Sequence, residues 1–232
     1  MRILVIVPAY NEERSIGLVV SDLRMNFPQG DVLVINDGSV DRTSEMARAA
    51  GAEVIDLSCN LGIGGAVQTG FLYALENRYD AAIQFDGDGQ HRADEIIKIF
   101  GPFIIEGGWD MVVGSRFLSE SGFTSSFQRR IGAKILSFVV SVLTGKRITD
   151  TTSGFRAYSR KAIEFFAGSY PEDYPEVEAF ILAHKKGLAV REVPAEIMPR
   201  GAGKSSITTA RAVYYMVKVL LAIFVDLMKK VD

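Results

Sequence analysis

Apolar and polar positions along the chain follow two alternating periods. Arg2–Pro8 is an almost continuous apolar run ending at a proline, the pattern of a strand covered on both faces and followed by a loop. Glu13–Phe27 then places apolar residues at Ile16, Val19, Val20, Leu23 and Phe27, which is helical spacing. Asp31–Asn36 predicts a second buried strand. Asp41–Ala50 predicts a short helix with Asp41 as its N-cap. Glu53–Leu57 reads as a strand, Gly62–Asn77 as a helix, Ala81–Asp86 as a strand, Ala93–Glu106 as a helix and Asp110–Gly114 as a strand. Ile131–Leu143 and Thr208–Lys230 carry further helical patterns.

Strands alternating with helices predict an α/β fold, a mainly parallel sheet flanked by helices. In such sheets the ligand lies beyond the carboxyl ends of the strands. The polar clusters Tyr10-Asn11-Glu12, Asp37-Gly38-Ser39, Asn60-Leu61-Gly62 and Asp86-Gly87-Asp88 all fall at those ends. With 232 residues, 48% of them hydrophobic, the chain can bury one sizeable core, and no repeat or long linker interrupts it.

Charge changes the picture more than composition does. Residues 1–115 hold 8 basic and 17 acidic residues, whereas residues 116–161 hold 9 basic and 2 acidic. An acidic half followed by a basic block suggests two tasks, holding a metal and receiving an anion; a chance clustering of surface charge is the other reading. Cys59 is the only cysteine, so neither an intrachain disulfide nor a cysteine zinc cluster can form, and a cytosolic setting fits. Arg2, Glu12 and Glu13 around the first apolar run argue against a signal peptide.

Asp86-Gly87-Asp88-Gly89-Gln90 follows a predicted strand. Carboxylates at i and i+2 project to one side of an extended segment, and the glycines let a ligand approach. Mg²⁺ and Mn²⁺ take oxygen ligands, often one or two carboxylates plus substrate phosphates, and the Gln90 carbonyl can add to Asp86 and Asp88. An ordinary acidic turn is the alternative. Asp37 is placed to accept hydrogen bonds from a base or ribose, with Gly38 and Ser39 allowing a tight turn; a plain turn before Asp41 is the alternative. Asn60 to Gly65 resembles a glycine-rich loop opening a helix, a place where phosphate can be met. It lacks the lysine and hydroxyl of a P-loop. His91 adjoins the acidic loop and is placed to act behind it, while His184, beside Lys185 and Lys186, reads as a surface residue.

The segments Val7-Pro8-Ala9-Tyr10-Asn11-Glu12, Asn36-Asp37-Gly38-Ser39, Asn60-Leu61-Gly62 and Asp86-Gly87-Asp88-Gly89-Gln90-His91, in this order and spacing, resemble family 2 of the inverting glycosyltransferases. Gly114-Ser115-Arg116, Asp150-Thr151-Thr152-Ser153-Gly154-Phe155-Arg156, Arg200 and Ser205-Ser206 are similar to its polyprenyl-phosphate branch, which includes dolichyl-phosphate mannose and glucose synthases. The resemblance runs from about Arg2 to Ile207. It departs after His91, where many relatives have proline and this chain has Arg92-Ala93. Tyr174-Pro175-Glu176-Val177-Glu178 resembles a motif of a short bacterial subgroup.

The resemblance implies a GT-A, Rossmann-like fold over residues 1–207 and an inverting hexosyl transfer from a UDP- or GDP-sugar to dolichyl or undecaprenyl phosphate. Pro8, Ala9, Tyr10, Glu12, Asp37, Gly38, Asn60, Gly62 and Asp86 are implied in donor-nucleotide binding. Asp86, Asp88 and Gln90 are implied in holding Mg²⁺ or Mn²⁺. Arg116, Ser153, Arg156, Arg200 and Ser205 are implied in facing phosphate, and Asp88, Asp150, Arg116 and Arg156 in catalysis. A phosphomonoester acceptor is largely a dianion at neutral pH, with its second pKa at about 6, and attacks without strong base assistance. The protein must then bring two anions together, which metal and arginines do electrostatically. Asp150 has three readings: orienting the acceptor, acting as a base, or pairing with Arg156. Two other functions stand beside this one, a family 2 transferase with a carbohydrate hydroxyl acceptor, and a non-catalytic nucleotide-binding protein at the membrane. Nucleic acid is not an expected partner.

Residues 208–232 form the second predicted unit. On a helix, Arg211, Tyr215, Lys218, Ala222, Asp226 and Lys229 make one narrow stripe and leave a broad apolar face. No uninterrupted apolar run reaches the roughly 18 residues of a membrane span. A helix lying in the membrane interface fits, as does packing on the domain, on another subunit or on a small membrane-protein partner. For Ile131–Leu143, Ile135, Phe138, Val139 and Val142 are expected on one side. Together these place the protein peripherally on the cytoplasmic face of a membrane.

Overall fold

The computed structural model describes residues 1–118, 127–196 and 218–225. Its centre is β1 (Ile3–Ala9), buried at all seven positions. Such a strand needs cover on both faces, and its side chains alternate accordingly. Leu4 and Ile6 enter one apolar cluster, and Ile3, Val5, Val7 and Ala9 enter the other. Parallel neighbours β2 (Gly30–Asn36) and β4 (Ala81–Gln84) flank β1, and β3 (Glu53–Asp56) lies beyond β2. The full order is β3-β2-β1-β4-β6-β5-β7, with β5 at Met111–Ser115, β6 at Arg156–Ser159 and β7 at Val190–Pro194. Only β6 runs against its neighbours. Its reversal matters: the segment entering β6 reaches the same sheet edge at which the other strands end.

One layer is built from α1 (Ile16–Asn26), α2 (Thr43–Ala49) and α4 (Ile96–Ile105), with Ile16, Val20, Leu23, Ile96 and Phe100 as its buried anchors. The opposite layer is built from α3 (Gly62–Glu76), α5 (Phe127–Thr144), α6 (Arg160–Gly168) and α7 (Pro175–Lys185). Phe71 of α3 is its aromatic hub, touching the rings of Tyr158, Phe166 and Tyr170. The short helical segment 218–225 joins this layer through Val219 and Ile223, both buried.

Most predicted elements lie where the pattern put them. Three differ. Helix 93–106 begins as a 3₁₀ turn, Ala93–Glu95, before α4. Helix α2 starts at Thr43 with Arg42 at the cap position; Asp41 sits just outside, and its carboxylate accepts from Thr43 N and Glu13 N. Strand β4 stops at Gln84, with one more ladder bond from Phe85 N to Ile6 O, so Asp86 lies past the strand. The predicted boundary at 207/208 lies outside the described residues. No helix among the described residues is long and apolar enough to cross a membrane.

Candidate active site

Six chain segments meet at this edge of the sheet, those that follow β1 to β5 and the one that enters β6. The first two interlock. Asn11 adopts φ 56°, its N–H donates to Ser39 Oγ, and its side-chain oxygen accepts from Val40 N. Glu12 N donates to Thr43 Oγ1, and the Glu12 carboxylate accepts from Ser15 Oγ at 2.6 Å. Pro8 and Ala9 end β1 beneath this loop, and Tyr10 stands 49% exposed above it.

Asp37 has a supporting task. It is buried, and its two oxygens accept from Leu61 N at 2.7 Å and Gly62 N at 3.0 Å. These are unpaired donors at the start of α3, so a carboxylate there caps the helix from another strand. The loop is tight enough to require glycine at 38: φ is +69°, and a Cβ would stand 2.8 Å from Asn60 N. Asn60 Oδ1 in turn accepts from Gly62 N. The predicted nucleotide-pocket residues at the ends of β1, β2 and β3 are therefore one hydrogen-bonded unit.

The acidic loop is a turn, not an extended segment. Asp88 Oδ1 accepts from Gln90 N at 3.0 Å, the side-chain-to-backbone bond typical of Asp in turns. The turn reading was right about local geometry, and the extended-strand argument for the two carboxylates does not apply. Asp86 is held by its surroundings instead. His91 Nε2 lies 3.0 Å from Asp86 Oδ2, and the His91 ring stacks on Phe155 at 4.9 Å. On the other side Gly154 packs so closely that a Cβ there would meet the Asp86 oxygens at 2.7 and 2.9 Å. Burial pushes the Asp86 carboxyl up, but the His91 hydrogen bond and the field of His91, Arg116 and Arg156 outweigh it and hold the group below its usual range. Asp86 is thus an anion. Among the described residues no group of three or more His, Cys, Asp or Glu forms a ready metal cage. Hard oxygen donors on one turn, shared between two carboxylates, are what a divalent cation completed by substrate phosphates requires.

The end of β5 and the start of β6 supply one cation each. Arg116, just past β5, grips Asp150 through its backbone N at 3.0 Å, Nε at 2.7 Å and Nη2 at 2.6 Å. Nη2 also donates to Thr152 Oγ1 at 2.6 Å. This corrects one expectation: Asp150 pairs with Arg116, not with Arg156. Fully buried and bound on both oxygens, Asp150 is spent on orienting that cation. Arg156 is also fully buried; its Nε donates to Ser153 O, its Nη2 to Glu176 O, and its guanidinium lies over the Phe180 ring. It acts on the edge through its charge. Ser153 is buried too, its Oγ accepting from Phe155 N. Arg200 and Ser205 lie outside the described residues. Residue 184 is exposed, as expected.

Two carboxylates escaped sequence reasoning. Glu176 opens α7 within the field of Asp86, Arg116 and Arg156, and burial raises its pKa, with Arg156 opposing. Its only sequence trace was the Tyr174–Glu178 motif. Glu192 of β7 accepts from Thr149 N, Thr149 Oγ1 and Asp150 N. Nothing local in the sequence marked it, because its partners are 42 or more positions away. Among the described residues, the buried side-chain atoms without a hydrogen-bond partner are His91 Nδ1, Thr151 Oγ1 and Arg156 Nη1, all in two of the segments at this edge, 86–91 and 150–156. Such atoms are rare in folded proteins and gather at functional sites.

Comparison with known proteins agrees with the geometry. The family model described as Glycosyl transferase family 2 matches residues 4–166. An uncharacterized protein of Methanocaldococcus jannaschii is 38% identical over 195 residues, 83% of this chain and 79% of that protein. A UDP-N-acetylglucosamine–dolichyl-phosphate N-acetylglucosaminyltransferase of Methanococcus voltae is 34% identical, covering 83% of this chain and 84% of its own length. An undecaprenyl-phosphate mannosyltransferase of Micrococcus luteus is 31% identical over 90% of this chain and 88% of that protein. In fold, the chain is similar to glucosyl-3-phosphoglycerate synthase of Mycobacterium tuberculosis, with a TM-score of 0.75 at 18% identity, over 97% of this chain and 79% of that one.

Proposed function

Because the chain belongs to glycosyl transferase family 2, we propose that it moves one sugar, with inversion, from a nucleoside-diphosphate sugar to a polyprenyl phosphate at a membrane surface. The observation that carries this reading is an acidic turn and an arginine site on one sheet edge: Gly154 packs against the Asp86 oxygens, and in the same 150–156 segment Asp150 holds Arg116 through Nε and Nη2. Such a site suits a reaction between two phosphate-bearing substrates. The names of the Methanococcus and Micrococcus relatives, with dolichyl and undecaprenyl phosphate, support the acceptor class. Crystals of the Mycobacterium synthase with Mn²⁺ and UDP support a metal-assisted donor site.

In this reading Asp86 and Asp88, with the Gln90 carbonyl, would hold Mg²⁺ or Mn²⁺. A cation there would supply positive charge against the leaving diphosphate. His91 fixes the Asp86 carboxylate in place, and the Asp37-anchored start of α3 with Asn60 shapes the nucleotide pocket. Arg116, held open by Asp150, meets the acceptor phosphate and places its oxygen against the anomeric carbon. Arg156 lowers the cost of that negative charge from beneath. A dianionic acceptor needs no strong base, which fits an Asp150 already committed to Arg116.

A second reading has one observation in its favour. Glu176, with its raised pKa, is suited to take a proton from a hydroxyl acceptor. One experiment separates the two. Nucleotide sugars are screened with Mn²⁺ against undecaprenyl phosphate, dolichyl phosphate and oligosaccharides, with products read by mass spectrometry. Lipid-phosphate sugar that disappears in a folded Asp88→Ala variant is the expected result. Normal turnover by that variant sinks the metal assignment, and sugar transfer to hydroxyls alone sinks the acceptor.

The apolar faces support the membrane setting. On α5, Ile131, Ile135, Phe138 and Val142 are exposed in one stripe, and Leu221, Phe224 and Val225 are exposed on segment 218–225. Lys134, Lys146 and Arg147 are exposed on or just after α5, as expected of a surface that meets anionic headgroups.

A further inference from the structure

We infer that Glu192 is a positioning residue for the acceptor-side arginine: it holds the Thr149–Asp150 backbone so that Asp150 presents Arg116 in one fixed pose. The inference rests on Arg116 as the cation that meets the acceptor phosphate.

The chain of contacts is continuous. Glu192 lies in β7, in register with Val113 of β5, three residues before Arg116. Its Oε2 accepts from Thr149 N at 2.6 Å and Thr149 Oγ1 at 3.0 Å, and its Oε1 accepts from Asp150 N at 2.7 Å. Thr149 Oγ1 also meets Ser115 Oγ at 2.7 Å. Because Thr149 spends its proton on Glu192, Ser115 is the donor in that pair. Glu192 therefore controls both flanks of Arg116, through Thr149 to Ser115 and through Asp150 to the guanidinium.

Three donors converge on one carboxylate that has no cation of its own among these contacts. Charge-assisted bonds of this kind are stronger than neutral ones. The arrangement also sets two carboxylates, Glu192 and Asp150, in succession behind a single guanidinium. Loop 149–152 has no helix or strand to hold it; the hydrogen bonds to Glu192 supply that rigidity from a β-strand. A site residue held by a strand through an intermediate keeps its geometry better than one on a free loop. Glutamine cannot replace this carboxylate, since its amide nitrogen would oppose an N–H donor at one of the two oxygen positions.

The test uses the whole protein with arginine side-chain ¹⁵N labelling, the Arg116 Nε–H resonance being assigned with Arg116→Lys. In Glu192→Gln the resonance is expected to shift, and its proton to exchange roughly tenfold faster, as its hydrogen bond to Asp150 Oδ2 is loosened. The KM for undecaprenyl phosphate is expected to rise by about the same factor, with donor KM unchanged. Glu95→Gln is the control, a carboxylate that also pairs with Lys98 at 2.7 Å. Glu95 is also a buried carboxylate accepting a backbone N–H, from Glu196, but it does not touch Arg116. It should alter stability and leave the resonance alone. Should Glu192→Gln fold poorly, Thr149→Val removes one of the three donors and should move the resonance the same way, by less. An unchanged Arg116 resonance, or an equal change in Glu95→Gln, overturns the inference whatever the reaction is. A shifted resonance with unchanged acceptor KM leaves Glu192 positioning Arg116 but overturns Arg116 as the acceptor's partner.

Discussion

His91 donates from Nε2 to Asp86 Oδ2 across 3.0 Å while its ring lies stacked on Phe155. The imidazole is thereby clamped on its face and aimed by its edge, so the carboxylate it holds has one orientation. Residues behind a metal ligand commonly change metal affinity or activity by about 10–100-fold when removed. His91→Phe keeps the stacking and deletes the donor. We expect a Mn²⁺ requirement shifted upward by roughly tenfold, with melting temperature nearly unchanged. Metal titration of transfer activity checks this, and an unaltered titration curve refutes it.

Gly154 gives a steric test of the same carboxylate. A Cβ at 154 would press on both Asp86 oxygens. The strand and turn on either side leave the carboxylate as the part that moves. Forcing a methyl into a packed site costs about 1–3 kcal/mol. Gly154→Ala should therefore lose activity at least tenfold while its far-ultraviolet circular dichroism stays native. A fully active variant would show that the Asp86 position is not tied to Gly154.

The nucleotide side depends on Asp37. Replacing it with asparagine leaves one acceptor oxygen for two N–H groups at the start of α3 and sets an amide nitrogen against one of them. An unsatisfied buried donor costs about 1–3 kcal/mol. Asp37→Asn should be destabilised by that amount in urea unfolding and bind the donor nucleotide more weakly, since Asn60 and Gly62 move with the helix start. Loss of stability without loss of nucleotide binding would restrict Asp37 to the fold.

How far the sequence disclosed this site follows from how local each interaction is. The apolar runs of β1, β2 and β5 and the spacing of α1 and α3 are short-range patterns, and they located those elements to within a few residues. Loops following such strands inherit their position from them, which is why Asp37, Asn60 and Asp86 were found together. The end of β4 differs from the pattern because the chain leaves the ladder after Phe85 and turns at Asp88, whose Oδ1 accepts from Gln90 N, a bond that apolar periodicity does not register. The choice of Arg116 over Arg156 as partner of Asp150 depends on β5 and β6 pairing antiparallel. No pattern within one segment encodes that. Arg156 is expected from the sequence to face phosphate, and its complete burial, with Nη2 on Glu176 O and the guanidinium over the Phe180 ring, depends on the packing of α7, which no local pattern encodes.

Acid titration gives a signed prediction for Glu192. Burial lifts its carboxyl above the ordinary value near 4.5, with the Asp150 charge adding to the rise and the Thr149 and Asp150 N–H bonds opposing it. The native state therefore holds this proton more tightly than the unfolded chain does. Stability from that difference is full below about 4.5 and is lost as pH rises through the higher folded value. The stability of the wild type minus that of Glu192→Gln should fall as pH climbs from 4 toward 7. Urea unfolding at several pH values measures it, and a flat or rising difference contradicts it.

The apolar faces allow a last test in which lipid and protein partners give opposite results. Phe138 is 70% and Phe224 59% exposed, so neither contributes much to the folded core. Substituting both with glutamate should leave unfolding stability within about 0.5 kcal/mol. If these faces enter a bilayer, each phenylalanine removed from lipid costs about 1.5–3 kcal/mol, and binding to anionic vesicles should fall more than tenfold. Activity on a short, water-soluble polyprenyl phosphate should survive, because the sheet-edge site is untouched. Were the faces a contact between copies of the chain, sedimentation velocity would instead report a change in mass, and vesicle binding would stay as it was. The exposed Lys134, Lys146 and Arg147 sharpen the distinction. Attraction to anionic lipid weakens with salt over a Debye length of about 8–10 Å, whereas an apolar subunit contact is nearly indifferent to it.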